Sequence, residues 1–181
     1  MAKVLVPLAD GCEELEAVTI IDLLRRAGIE VVTAGLKPGL IKASRGVQLM
    51  PDMTLDVALQ DHYDMVVLPG GMPGASHLKA DTRIIELLKK MAATGLYTAA
   101  ICAAPMVLAE AGILDGKQAT SYPGFLDALP GVTVSTAAVV QDGKVLTSRG
   151  PGTAMDFALA LIEVLAGSDT RQQVEAALVR A

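Results

Sequence analysis

Short apolar runs alternate along this chain with segments whose apolar residues recur at helical spacing. The runs at 3–8, 30–34 and 64–68 are apolar almost throughout, which is typical of strands buried on both faces of a parallel sheet. Between the first two runs, residues 13–27 follow an amphipathic helical pattern that ends at Gly28, a common helix C-terminal residue. This alternation predicts an α/β fold with a mostly parallel sheet covered by helices on both faces.

The rest of the chain continues the alternation with shorter strands. Residues 138–141 and 144–147 flank an Asp-Gly turn and are expected to pair as a hairpin. Asp81 precedes a helical pattern and is expected to cap it. No repeat, linker or low-complexity stretch interrupts residues 1–181, so we expect a single domain. The other predicted elements are strands at 46–50 (with 40–43 as hairpin partner), 118–121 and 132–135, and helices at 81–94, 103–111, 152–166 and 169–179.

The composition narrows the class of protein. Hydrophobic residues make up 52% and charged residues 19% of the chain, typical of a globular core rather than disorder. The net charge of −5, the 3% aromatic content and the absence of Trp argue against a nucleic-acid partner. No apolar run reaches the roughly 20 residues of a membrane span. With no signal-peptide pattern and only two cysteines, we expect a cytoplasmic protein without a disulfide framework or membrane contact.

The segment ending at Cys102 carries the strongest functional signal. An apolar run, 96–101, leads directly into this cysteine, and a predicted helix begins immediately after it. A strand that turns sharply into a helix presents the joining residue at the carboxyl edge of a sheet, as in a nucleophile elbow. The N–H groups and dipole of the following helix would stabilise a thiolate. The alternative is a small buried hydrophobe, and position alone leaves both interpretations open.

Two glycines at the end of the preceding strand are candidates for backbone hydrogen-bond donors. Gly70 and Gly71 follow an apolar run directly, so a ligand could approach the main chain without meeting a side chain. The N–H groups of Gly71 and Ala103 would form an oxyanion site for an attacked carbonyl. The alternative is an ordinary Pro-Gly-Gly turn.

Three glutamates open the first predicted helix. For Glu13 and Glu14, favourable interaction with the helix dipole is a sufficient explanation. Glu16 lies among apolar neighbours on the side expected to face the sheet. Burial there would raise its pKa and allow it to exchange a proton with Cys102 or a bound substrate.

The positions of the two histidines bear on whether the protein is a cysteine protease, an amidase or a metal-binding protein. Neither His62 nor His77 is close in sequence to Cys102, and a cysteine protease or amidase needs a base within reach of the sulfur. His62 is expected at the surface. His77 is expected in a solvated loop and remains a candidate base for Cys102. The histidines and cysteines have no spacing typical of a metal site. Cys12 is interpreted as a bystander thiol, with secondary oxidation as its alternative.

Five ordered motifs resemble those of the ThiJ/PfpI superfamily, within it the branch of the Parkinson-associated deglycase. The resemblance extends along nearly the whole chain. It implies a flavodoxin-like three-layer α/β/α sandwich that forms a homodimer, with a cysteine nucleophile elbow and no cofactor or metal. The motifs are Gly-Cys-Glu-Glu-Leu-Glu-Ala (11–17), Asp-Leu-Leu-Arg-Arg-Ala-Gly-Ile (22–29), Val-Leu-Pro-Gly-Gly (67–71), Ala-Ala-Ile-Cys-Ala-Ala-Pro (99–105) and Leu-Thr-Ser-Arg-Gly-Pro-Gly-Thr (146–153).

The resemblance also assigns roles to particular residues. It makes Cys102 the reactive cysteine, Glu16 its partner acid, and Gly71 and Ala103 the backbone donors. Arg45 matches an arginine that approaches the site of the partner subunit. The sequence departs from the family pattern at two places, and each departure affects a mechanism. Tyr122 stands where the deglycase branch often carries a histidine, which leaves Glu16 as the general base, and Ala103 stands where the protease-like branch has a histidine.

These observations lead to three expected functions. The first is a cofactor-independent glyoxalase or deglycase that acts on methylglyoxal-type 2-oxoaldehydes, or on their adducts with thiols and amines. The second is an oxidative-stress redox sensor or chaperone that acts through oxidation of Cys102. The third and weakest is a cysteine amidase or protease, which requires His77 to reach Cys102.

Overall fold

Strands and helices alternate along residues 1–180, the part of the chain that the computed structural model describes. The strands are β1 Lys3–Leu8, β2 Glu30–Gly35, β3 Ile41–Lys42, β4 Gln48–Leu49, β5 Met53–Thr54, β6 Met65–Leu68, β7 Tyr97–Ile101, β8 Gln118–Ala119, β9 Thr133–Val134, β10 Val139–Asp142 and β11 Val145–Ser148. The helices are α1 Glu14–Arg26, α2 Leu55–Ala58, α3 Gly74–Ala80, α4 Thr82–Ala93, α5 Pro105–Glu110, α6 Ala154–Ala166 and α7 Ser168–Ala177, and a 3-10 turn spans Pro151–Thr153.

The main sheet has seven strands in the order β10-β11-β7-β6-β1-β2-β5. Its pairs are parallel except for the hairpin of β10 and β11. Because β1, β6, β7 and β11 run in the same direction, their carboxyl ends meet at one edge of the sheet. The predicted α/β architecture with a mostly parallel sheet is confirmed, and both predicted hairpins are present.

Two apolar layers sandwich the sheet, as the near-continuous apolar strands predicted. Val4 and Val6 of β1 pack into the layer with α1, α6 and α7, whereas Leu5 faces the layer with α2 to α5. Alternate residues of a strand point to opposite faces, so a strand buried on both sides needs apolar residues throughout. Phe157 of α6 is fully buried in the first layer. Burial of side chains of this size contributes roughly 2 kcal/mol each.

The structure corrects two predictions next to the candidate site. The helix after Cys102 begins at Pro105 rather than 103, because residues 102–104 form a turn and the ring of Pro105 suits the first helical position. The segment containing His77 is not a loop but helix α3, which starts directly after Pro73. Proline and glycine at 73–74 resemble turn residues in sequence, yet both are compatible with a helix N-terminus.

Several smaller elements also differ from their predicted bounds. The short strand β5 and helix α2 were not predicted. Strands β8 and β9 are two residues each and pair in a sheet of their own. Asp81 caps α4 as predicted, since its Oδ1 accepts the N–H of Arg83 at 3.0 Å. The element types were therefore easier to predict than their ends.

Candidate active site

Cys102 occupies a sharp, strained turn at the carboxyl end of β7. Its N–H donates to the carbonyl of Ser148 at 3.0 Å, and its carbonyl accepts the N–H of Tyr122 at 2.8 Å. Its φ of 64° lies in the left-handed region, which costs a non-glycine residue about 1–2 kcal/mol. The flanking hydrogen bonds hold the backbone in this conformation. The local geometry is that of an elbow, with the cysteine at its apex.

The surroundings of the Cys102 sulfur favour the thiol while Glu16 is charged. Burial raises the pKa of Cys102, the neighbouring Glu16 carboxylate raises it further, and the value is about 12. Hydrogen bonds from the backbone N–H groups of Gly71 and Ala103 lower it. The Ala103 N–H at the start of the following turn does favour the thiolate, as expected, but burial and the Glu16 charge outweigh it in this state.

Glu16 is a fully buried carboxyl beside this sulfur. Burial raises the pKa of Glu16 to about 7, opposed by the N–H of Gly70 and by Cys102, and supported by the charge of Glu13. Its Oε2 accepts the Gly70 N–H at 2.8 Å. Its Oε1 has no partner with hydrogen-bond geometry, although Cys102 is close enough to perturb its pKa. A proton on Glu16 would remove the repulsion on a thiolate and supply a donor toward it.

Gly70 is the point at which the cysteine and the carboxyl meet. A Cβ atom built on Gly70 would lie 2.6 Å from Cys102 Cβ and 2.8 Å from Glu16 Oε2. Gly71 has a φ of 88°, and a Cβ there would collide with the backbone N of Glu13. A side chain at either position would force these groups apart. The glycine pair is therefore a packing requirement of the site and not only a turn.

Glu14 binds the loop that carries Arg45. Its carboxylate accepts the N–H of Arg45 at 2.9 Å and the hydroxyl of Ser44 at 3.0 Å. Burial opposes its charge, but hydrogen bonds from its own backbone and from the 44–47 loop hold the pKa of Glu14 below its usual range. The interpretation of Glu14 as a dipole partner alone is therefore incomplete. The Arg45 side chain itself is exposed.

The remaining candidate residues are Tyr122 and the two histidines. The Tyr122 ring is about half exposed and packs edge-on against Phe125 at 6.3 Å. His77 is exposed on α3, where its Nδ1 lies 2.9 Å from the carbonyl oxygen of Asp10. His62 is exposed, as predicted. Tyr122 thus contacts the site through its backbone N–H, which donates to the Cys102 carbonyl, whereas the His77 ring contacts the loop that contains Asp10.

Three further features concern metal binding, membrane-spanning helices and the second cysteine. Within residues 1–180, no group of three or more His, Cys, Asp or Glu side chains is arranged to hold a metal ion. In the same residues, no helix combines the length and the apolar character needed to cross a bilayer. Cys12 is buried, and burial together with the charge of Glu14 raises its pKa to about 12.

Sequence reasoning missed the contribution of Gly11 and Gly74. Gly11 has a φ of 83°, and a Cβ on Gly74 would lie 2.5 Å from the backbone N of Cys12. These glycines let the loop before α1 press against the turn after β6, which brings Glu16 toward Cys102. The signal was available, because Gly11 opens the 11–17 motif and Gly74 stands three residues after the 67–71 motif.

A doubly covered parallel sheet with a strained cysteine facing a buried carboxyl defines a class of α/β proteins built around a cysteine elbow. The family described as the DJ-1/PfpI family matches residues 2–164. The chain therefore belongs to the DJ-1/PfpI family, as its motifs indicated.

Relatives within the family match the chain over most of its length. Protein dj-1beta of Drosophila melanogaster is 46% identical over 178 residues, covering 97% of this chain and 95% of that protein. A Caenorhabditis elegans protein named glutathione-independent glyoxalase DJR-1.2 is 36% identical over 170 residues, covering 93% and 90%. The solved structure of oxidized Toxoplasma gondii DJ-1 superimposes with a TM-score of 0.96 at 42% identity, covering 100% of both chains.

Proposed function

We propose that this protein is a cofactor-independent glyoxalase that converts methylglyoxal-type 2-oxoaldehydes to hydroxy acids. The single observation that carries the proposal is the pairing of Cys102, a nucleophile held at a strained elbow, with Glu16, a buried acid of pKa about 7. A general base with a pKa near the working pH is well suited to move a proton. The glyoxalase name of the C. elegans relative supports the same chemistry.

The first step forms a hemithioacetal. The Glu16 carboxylate takes the thiol proton while the Cys102 sulfur bonds to C1 of the aldehyde. Glu16 then passes that proton to the former carbonyl oxygen, which becomes the C1 hydroxyl, and is a carboxylate again. The N–H groups of Gly71 and Ala103, which hydrogen-bond to the sulfur, lie where they could stabilise the developing charge. No metal or organic cofactor takes part.

The second step is a proton transfer within the substrate. Glu16 removes the C1 proton, the electron pair forms a C1–C2 double bond, and the C2 oxygen takes a proton from water to give an enediol. Glu16 then returns its proton to C2, and the C1 hydroxyl gives up its proton to water as its oxygen becomes the carbonyl of a thioester. Water hydrolyses the thioester, which releases lactate from methylglyoxal and restores the Cys102 thiol. On a hemithioacetal or hemiaminal, the Cys102 sulfur would replace the thiol or amine at C1, which leaves with the thiol proton, and the same proton transfers would then appear as deglycase activity.

Lactate formation from methylglyoxal, without added glutathione or metal, tests this proposal. The wild type should produce lactate, and both Cys102→Ser and Glu16→Gln should abolish it with the fold retained. Cys12→Ser is the matched cysteine control and should keep the wild-type rate. Glu16→Asp should lower turnover by about 100-fold, since it withdraws the carboxyl by roughly one bond length. Wild-type turnover by Cys102→Ser would contradict the mechanism.

A second candidate function is redox sensing through Cys102. Two equivalents of peroxide convert the thiolate to a sulfinate and release two molecules of water. The buried Oε1 of Glu16, which has no hydrogen-bond partner, would donate to that sulfinate when protonated. The similarity of the chain to the solved structure of oxidized T. gondii DJ-1 supports redox sensing as the second candidate function. If dilute peroxide adds two oxygens at Cys102 and no lactate forms, sensing or a chaperone role replaces glyoxalase activity.

The amidase or protease candidate has less support. Such an enzyme needs a base at the sulfur, and the His77 ring contacts the Asp10 carbonyl from an exposed helix. Tyr122 cannot replace a histidine as a base near neutral pH. Glu16 therefore stays the only proposed base, and its position suits proton transfer within a small aldehyde.

We further propose a cytoplasmic homodimer formed by one domain. Leu15 and Val18 face outward from α1 and are about half exposed, and Met50, which borders the same cavity as Val18, is 68% exposed. Apolar side chains grouped in this way are typical of an interface between subunits. The exposed Arg45 lies on the loop beside this patch, from which it could reach the partner's site. Sedimentation should give twice the chain mass, and Val18→Glu should give the monomer.

A further inference from the structure

A cavity at the opposite edge of the sheet is not used by the proposed chemistry. It has a volume of about 420 Å³ and lies where β7 and β11 begin, whereas Cys102 lies where β7 ends. Its apolar wall includes Leu96 before β7, Ile113 after α5 and Val145 at the start of β11. This size falls within the range of small-molecule sites.

Three lysines from separate elements border this cavity, which we call the lysine cavity. Lys89 comes from α4, Lys117 from the segment before β8, and Lys144 from the turn between β10 and β11. No Asp or Glu is among its lining residues. Positive charge concentrated at one place is distinctive in a chain whose net charge is −5. Such a cluster attracts an anion into the cavity.

Nearby groups position two of these ammonium groups at the border of the cavity. Lys144 Nζ lies 3.9 Å from the centroid of the Tyr97 ring, a cation–π contact with a residue that lines the adjoining cavity. Lys117 Nζ lies 3.6 Å from Asp142 Oδ1, and its side chain is 31% exposed. An ammonium already positioned loses less conformational freedom when an anion binds.

A second cavity of similar volume adjoins this one at Lys144. Both are lined by Gly95, Leu96 and Lys144, and the second adds the apolar Val164 and Leu165 of α6 together with Asp64. An elongated apolar body could therefore extend past the lysines while its charged end stays beside them.

We propose that the lysine cavity binds a small organic acid that combines one anionic head with an aromatic or aliphatic body. The head would lie between Lys117 and Lys144, and the body would contact Leu96, Ile113 and Val145. The site is independent of Cys102 and of the proposed glyoxalase reaction.

The alternative role for these lysines is purely structural. Helices α4 and α5 both end near this edge, and Asp115 lies at the rim, where its Oδ2 is 4.0 Å from a Cβ built on Gly112. Lysines near helix C-terminal ends stabilise the helix dipole without binding a ligand. An experiment must therefore separate ligand binding from helix stabilisation.

Titration with the fluorescent anion 8-anilinonaphthalene-1-sulfonate tests the proposal directly. The wild type should bind it saturably, and Lys117→Gln/Lys144→Gln should weaken binding by at least about tenfold, since a charge-assisted contact contributes about 1.5–3 kcal/mol. The matched control is Lys79→Gln/Lys90→Gln, which removes the same charge outside the cavity. It should bind as the wild type does.

An uncharged analogue, N-phenyl-1-naphthylamine, isolates the anionic head. It should bind the wild type at least about tenfold more weakly than the sulfonate, and should not distinguish the two double variants. Equal affinity of both double variants for the sulfonate would overturn the proposal, as would absence of saturable binding by the wild type. Lactate formation should be unchanged in both variants, so the failure of this proposal and that of the glyoxalase proposal are distinguishable.

Discussion

Substitution of Glu16 by Gln should make the fold more stable at alkaline pH while it abolishes turnover. Glu16 is fully buried, and burial raises its pKa from 4.5 to about 7. Below pH 4.5 the Glu16 carboxyl is protonated in both the folded and the unfolded chain, so its ionisation does not lower the free energy of unfolding. As the pH rises from 4.5 to 7, the unfolded chain loses this proton first, and the folded state becomes less favourable. Glutamine cannot ionise, and its amide oxygen can still accept the Gly70 N–H.

The size of this effect follows from the two pKa values. Each pKa unit corresponds to about 1.4 kcal/mol, so the full cost of ionised Glu16 is about 3 kcal/mol. Between pH 5 and pH 8, the free energy of unfolding of the wild type should fall relative to that of Glu16→Gln by about 2.5 kcal/mol. The remainder lies below pH 5, where other carboxyl groups also titrate.

Urea unfolding at pH 5 and pH 8, at equal protein concentration, measures this difference. Comparing each protein's change between the two pH values removes the contribution of all other titrating groups. Glu14→Gln is the matched control from the same helix, because the pKa of Glu14 is held below its usual range. Its stabilising charge is lost only as the pH falls below about 4.5, so its difference from the wild type should be flat over this window. Parallel pH dependence of the wild type and Glu16→Gln would refute the reasoning.

Three further outcomes follow from the same geometry. Cys102→Gly should be more stable than Cys102→Ala by about 1 kcal/mol in urea unfolding, since φ of 64° favours glycine; equal stability would remove the argument for strain. Gly70→Ala should lose lactate formation and about 1–3 kcal/mol of stability, because its Cβ would lie 2.6 Å from Cys102 Cβ; a fully active variant would show that the site relaxes. The kcat/KM for methylglyoxal should rise with pH through about 7 as Glu16 ionises, and a profile flat from pH 5.5 to 8.5 would exclude Glu16 as the base.

The regular elements of the fold were predictable because strands and helices impose simple periods. The apolar runs at β1 and β6 are typical of strands covered on both faces, and the Asp-Gly turn indicated the hairpin of β10 and β11. Helix α3 was missed because Pro73 and Gly74 resemble turn residues, although a helix can begin after them. The two-residue strands have too few positions to show any period.

The candidate site was only partly predictable. The elbow at Cys102 and the donors after β6 follow from where apolar runs end. That Leu15 and Val18 face outward while Glu16 faces the sheet could be inferred only in part, since all three belong to the same helical stretch. The net upward shift of the Cys102 pKa beside a charged Glu16 could not be predicted, because burial and the Glu16 charge depend on packing that the sequence does not display.

The sequence by itself determined the alternation of strands and helices, the cysteine at a strand-to-helix turn, and the glycines that let other groups approach it. These features are local, since each depends on residues within a few positions of one another. Only the tertiary structure decided that Glu16 meets Cys102 at Gly70, and that His77 contacts Asp10 instead of the sulfur. Those meetings depend on the strand order, which places β6 between β1 and β7 and so joins segments far apart in the chain.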